Sequence, residues 1–189
     1  MTAAIPLGAT IALAAVWLAV GVVADGLPDA SSARALRQRA GAVIALTAGG
    51  LAGLVALLLI PAATPGMIDP RLAVLVPAVV AGVTLRRVVR IRAAAGAFTS
   101  APGVPLPPAL RAGAAHPMIA VPSQVTGLAT VVAVVLMAGW PLVGDTATVG
   151  VIVAGLALAV PVLAVRHALR YSRLSERAIT VRRRMPATL

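Results

Sequence analysis

The chain has 189 residues, 60% hydrophobic and 11% charged, with a mean hydropathy of +1.02. A soluble domain carries about a quarter charged residues, and a globule of this length leaves too much surface in water to hide so much apolar area. The composition therefore excludes an ordinary soluble domain, and the absence of cysteine excludes disulfides, thiolate metal sites and cysteine nucleophiles.

Residues 1–24 lack a basic leader, and their apolar run is longer than a signal-peptide core, so they read as a retained span. A bilayer core of about 30 Å needs about twenty helical residues. Four segments meet this directly: 5–24, 40–61, 125–143 and 149–166. A fifth, 70–88, is marginal, because only fourteen uncharged residues separate Arg71 from Arg86. Those cover about 21 Å as a helix, but arginine stems reach outward to the interfaces and make up the difference. Asp69 is placed to cap this helix, with Pro70 in its first turn.

The arginines test the fifth span. Net charge is +11, every basic residue is arginine, and the lack of lysine and asparagine reads as a GC-rich, bacterial gene. With five spans, fifteen of the sixteen arginines fall on one side and only Arg71 on the other. Without 70–88 as a span, the two basic loops beside it would face opposite compartments. The positive-inside rule makes the arginine-rich side cytoplasmic. The expected fold is an all-α integral membrane protein: a bundle of five transmembrane helices, N-terminus outside and C-terminus cytoplasmic, in a bacterial inner membrane.

On the cytoplasmic side, the third helix has no breaker before Gly96 and is expected to run on past the membrane. Arg86 and Arg90 are four residues apart and share a helix face there. They serve as a topology anchor or as a contact for an anionic lipid or partner. The loop 89–124 is Pro-rich, which argues against regular structure, although its middle is apolar enough for a short interfacial helix. In the tail 167–189 the fifth helix is expected to continue. Arg166, Arg170, Arg173 and Arg177 recur at spacings of four, three and four, a single basic stripe suited to anionic headgroups or an acidic partner. Nucleic acid is not expected as a partner, since the chain has one Tyr, one Phe and two Trp.

No catalytic or cofactor constellation is evident. Asp25, Asp29, Asp69, Asp145 and Glu176 all lie outside the middles of the spans, which argues against transport coupled to a mid-membrane carboxylate. His116 and His167 are too few and too far apart to suggest a metal or haem site. The spans do carry small residues at helical spacing: Gly49 with Gly53, Ala78 with Gly82, and Ala129 with Ala133. Such pairs let helix backbones approach closely in lipid. Thr47, Thr84, Thr126 and Thr130 are placed to hydrogen-bond between helices, and Trp17 and Trp140 read as ordinary membrane aromatics. The expected function is non-catalytic: an accessory, assembly or stabilising subunit of a larger membrane complex, with lipids and other subunits as partners. The alternatives are a membrane component of a small-molecule transporter and an enzyme acting on anionic lipids.

Overall fold

The computed structural model describes residues 4–58, 70–98, 100, 105–137 and 146–184. Among them the chain is all-α, with no strand: α1 (Ala4–Asp25), a 3-10 turn (Leu27–Asp29), α2 (Ala33–Leu58), α3 (Pro70–Gly96), α4 (Pro108–Ala114), α5 (Pro117–Met137) and α6 (Thr146–Arg184). One helical stretch, Ala33–Ala56 in α2, is long and apolar enough to cross a membrane; α1 adds a shorter apolar stretch, Ile11–Asp25. Thus the all-helical class stands, while four of the five expected spans do not meet that measure among the described residues.

Helix boundaries follow local chemistry. Ser32 caps α2: its hydroxyl accepts the Ala35 N–H at 3.2 Å and its carbonyl accepts the Leu36 N–H at 2.9 Å. The Pro-rich loop is more regular than its composition implies. Pro108 and Pro117 each occupy the first position of a helix, where the missing N–H costs nothing. The carbonyls of Pro107 and His116 then accept the first bonds of α4 and α5. Pro122 lies inside α5 and leaves the Met118 carbonyl without its usual partner. Thr84 Oγ1 of α3 donates to that carbonyl at 3.4 Å, so the break in one helix becomes a link to another.

In the packing, α1 is sandwiched between α2 and α5, α3 lies against α2 and α5, and α6 docks on α4 and α5. Trp17, Val20, Leu27, Leu36, Val43, Val88 and Ile119 form the centre of the core, each at most 1% exposed. Small residues set several close approaches; of the expected pair in α2, Gly53 makes one and Gly49 does not. Gly49 is exposed, and a Cβ there would meet nothing within 4 Å. Gly50 is the buried one: a Cβ would lie 3.0 Å from Trp17 Cε2, and at Gly53 one would lie 3.1 Å from Leu13 Cδ1. Gly21 against Gln124 and Gly127 against Leu18 make a second seam between α1 and α5. Gly82 meets nothing within 4 Å, whereas Ala81 next to it is fully buried. The side chains of Ala78, Ala133 and Trp140 lie outside the described residues.

Neighbouring glycines should therefore respond in opposite directions. Gly49→Ala is expected to stabilise by about 0.5–1 kcal/mol through backbone entropy alone. Gly50→Leu should destabilise by about 1–3 kcal/mol through overpacking against Trp17. Unfolding of each variant in detergent micelles, followed by circular dichroism, checks both signs.

Candidate functional site

Two aspartates and two arginines join the end of α1 to α6. Asp25 closes α1, and Asp29, four residues on, lies in the 3-10 turn. Arg166 and Arg170, also four apart, occupy one face of α6. Arg170 Nη1 donates to Asp25 Oδ1 at 2.8 Å and to the Asp25 carbonyl at 2.9 Å. Its Nη2 donates to both Asp29 carboxylate oxygens at 2.7 Å. The guanidinium thus caps the C-terminus of α1, where the helix dipole favours a cation. Its two carboxylate neighbours raise its pKa further. Arg166 Nη2 adds a 2.7 Å contact to Asp25 Oδ2, but its side chain is 57% exposed and water screens the pair.

Behind this clamp His167 is buried at 3% exposure. Its Nε2 lies 3.1 Å from Gln124 Oε1 of α5, which fits a ring donating from Nε2. A second proton would sit on Nδ1, 3.8 Å from Asp25 Oδ1. Burial lowers the His167 pKa; Asp25 pulls it up, while Arg166 and Arg170 push it further down. His116, at the α4–α5 junction, plays a related part. Its Nδ1 accepts the Met118 N–H at 3.2 Å and so caps α5, and its ring lies 5.1 Å from that of Tyr171 on α6. Burial first, and then Arg87, lowers its pKa too.

Both histidines therefore stay neutral where unfolded ones begin to protonate. The stability they contribute is complete above about pH 6.5, the value of an unfolded histidine. It falls as pH drops from there through the lower folded-state values. The thermal midpoint in detergent should decrease between about pH 7.5 and about pH 5. A His116→Gln/His167→Gln double variant should lose that slope. A midpoint that rises on acidification would contradict it.

Beside the clamp runs an open groove of about 1100 Å³. One wall is the 3-10 turn with Ala30, Ser31 and Arg111 of α4; the other is α6 from Pro161 to Arg177. All four arginines expected on the α6 stripe line it. Two of them are engaged by Asp25 and Asp29. Arg173 and Arg177 are exposed, with no carboxylate partner among the described residues. Arg111 faces them from α4 with its Nε buried and without an acceptor there. Arg86 and Arg90 are exposed on α3 and line no part of the groove. Among the described residues no three His, Cys, Asp or Glu stand together.

No protein-family model matches the chain, and no curated protein or solved structure matches it. The site rests on its own geometry. Asp25, Asp29, Gln124, His167 and Arg111 were missed as a group by sequence reasoning. One signal was present: an acidic pair spaced by four to match the basic pair spaced by four.

Proposed function

We propose that the chain is a five-span bacterial inner-membrane protein, N-terminus outside and arginine-rich side cytoplasmic. In this reading it acts as a non-catalytic accessory or stabilising subunit of a larger membrane complex. One observation carries it. Val151, Leu158, Val162, Val165 and Leu169 of α6 are 72%, 69%, 65%, 58% and 54% exposed. Their spacings of seven, four, three and four place them on one narrow stripe of the helix. The stripe is about 27 Å long, close to the thickness of a bilayer core, and the arginines begin with Arg166 in its last turn. So continuous an apolar face needs lipid or another subunit against it. α1 exposes Val22 at 73% in the same manner, and α3 exposes Val79 at 66%.

Gentle-detergent purification followed by mass spectrometry tests the subunit role; a chain that runs alone and monodisperse overturns it. The orientation is testable because the sequence has no cysteine. A single Ala63→Cys should be labelled by an impermeant maleimide in intact cells. Ala187→Cys should be labelled only after lysis. The reverse pattern sinks the threading.

A further inference from the structure

We infer that the groove between α4, the 3-10 turn and α6 is a binding site for one anionic phospholipid. Its acyl portion would run along Val162, Val165 and Leu169, and its phosphate would be held by Arg111, Arg173 and Arg177. This rests on the membrane reading above. It narrows that reading from a generally basic face to one site.

The arrangement of the groove matches an amphiphile end to end. On α6 the apolar residues Pro161, Val162 and Val165 come first, Arg166 and Arg170 flank Leu169 and are turned to Asp25 and Asp29, and Arg173 and Arg177 follow. At 100° per residue the arginines lie beside the apolar stripe and a turn or two further along. A ligand with a tail at one end and an anion at the other fits this order; a free anion would use only the basic half. The groove wall continues the exposed α6 stripe, so a chain entering from the bilayer side meets apolar surface before it meets charge.

Charge selects the headgroup. Five arginines and a single aspartate line the groove. Asp29 is occupied by Arg170, and Asp25 by Arg170 and Arg166. That leaves the three guanidinium groups on two opposing elements without a counter-ion among the described residues. Arginine forks match phosphate oxygens in geometry as well as sign. A carboxylate-poor basic groove is a poor seat for a zwitterionic headgroup, whose ammonium would face arginines.

The test uses the full chain in mild detergent, titrated with phosphatidylglycerol or phosphatidylcholine and read by native mass spectrometry. One phosphatidylglycerol per chain is expected, with phosphatidylcholine at least tenfold weaker. Each lost arginine contact should weaken binding about fivefold, so Arg173→Gln/Arg177→Gln should weaken it about thirtyfold. Arg86→Gln/Arg90→Gln should change it less than twofold. Equal losses in both double variants would mean diffuse surface charge and overturn the site. Equal binding of phosphatidylcholine would do the same.

The source of the anion is decided on the native chain, where no variant has to fold. Excess inorganic phosphate and glycerophosphoglycerol should compete poorly, whereas short-chain phosphatidylglycerol should compete well. Competition by phosphate as effective as by the lipid overturns the lipid assignment in favour of a free anion. Failure of the underlying reading looks different. A chain released from membranes by alkaline carbonate is not integral, whereas loss of specific lipid binding by a chain that stays in the pellet sinks the groove alone.

Discussion

Replacing Trp17 by alanine is expected to cost about 3–5 kcal/mol of stability, the largest effect of any single substitution considered. The side chain is fully buried at the junction of α1 and α2, and Gly50 presses against its ring. No neighbour can collapse into a void of that size without moving α2. Trp17→Phe is the informative companion. It gives up ring volume but also removes Nε1–H, which is buried without an acceptor among the described residues. A buried orphan donor costs about 1–3 kcal/mol, so phenylalanine should recover much of the alanine loss. Chemical unfolding of the three proteins in one detergent decides it. Equal damage from both variants would show that the indole N–H is satisfied.

The second large effect is expected at Asp25. Its carboxylate is 22% exposed and receives Arg166 and Arg170, and His167 lies behind it. Asp25→Ala should destabilise by about 2 kcal/mol, within the range for hydrogen bonds to charged groups. Most of that should couple to one partner. Arg170 is 27% exposed and also holds the end of α1, whereas Arg166 is 57% exposed. A double-mutant cycle should give about 1–2 kcal/mol of coupling for Asp25 with Arg170 and under about 0.5 kcal/mol with Arg166. Comparable coupling to both arginines would contradict the capping role of Arg170.

Where local rules decide, the sequence was readable. α3 runs to Gly96, the first breaker after its arginines, and α6 carries its basic stripe on one unbroken helix to Arg184. Both follow from helical periodicity and from the absence of proline or glycine in 86–95 and 162–184. The misreadings have physical causes. Gly49 and Gly50 differ by 100° of helix rotation, and composition cannot say which of them faces α1. Trp17 reads as an ordinary membrane aromatic until its neighbours are known. The prolines of 99–124 read as breakers around an apolar middle, yet Pro108 and Pro117 start helices. The Asp25–Arg170 clamp joins residues 145 apart in sequence, a distance over which no local pattern carries information. In each case the missing datum is which helix lies opposite.

That same separation has a consequence for biosynthesis. The carboxylates of Asp25 and Asp29 and the last carbonyl of α1 leave the ribosome long before Arg166 and Arg170 exist. At about 5–20 residues per second the interval is about 7–30 s. Through that time the two carboxylates lack Arg166 and Arg170, and the corner is held by the Arg39 bond from α2 to the Gly26 carbonyl. The final helix supplies the cations and closes the corner. A nascent chain stalled before residue 166 should consequently be the form most open to proteolysis.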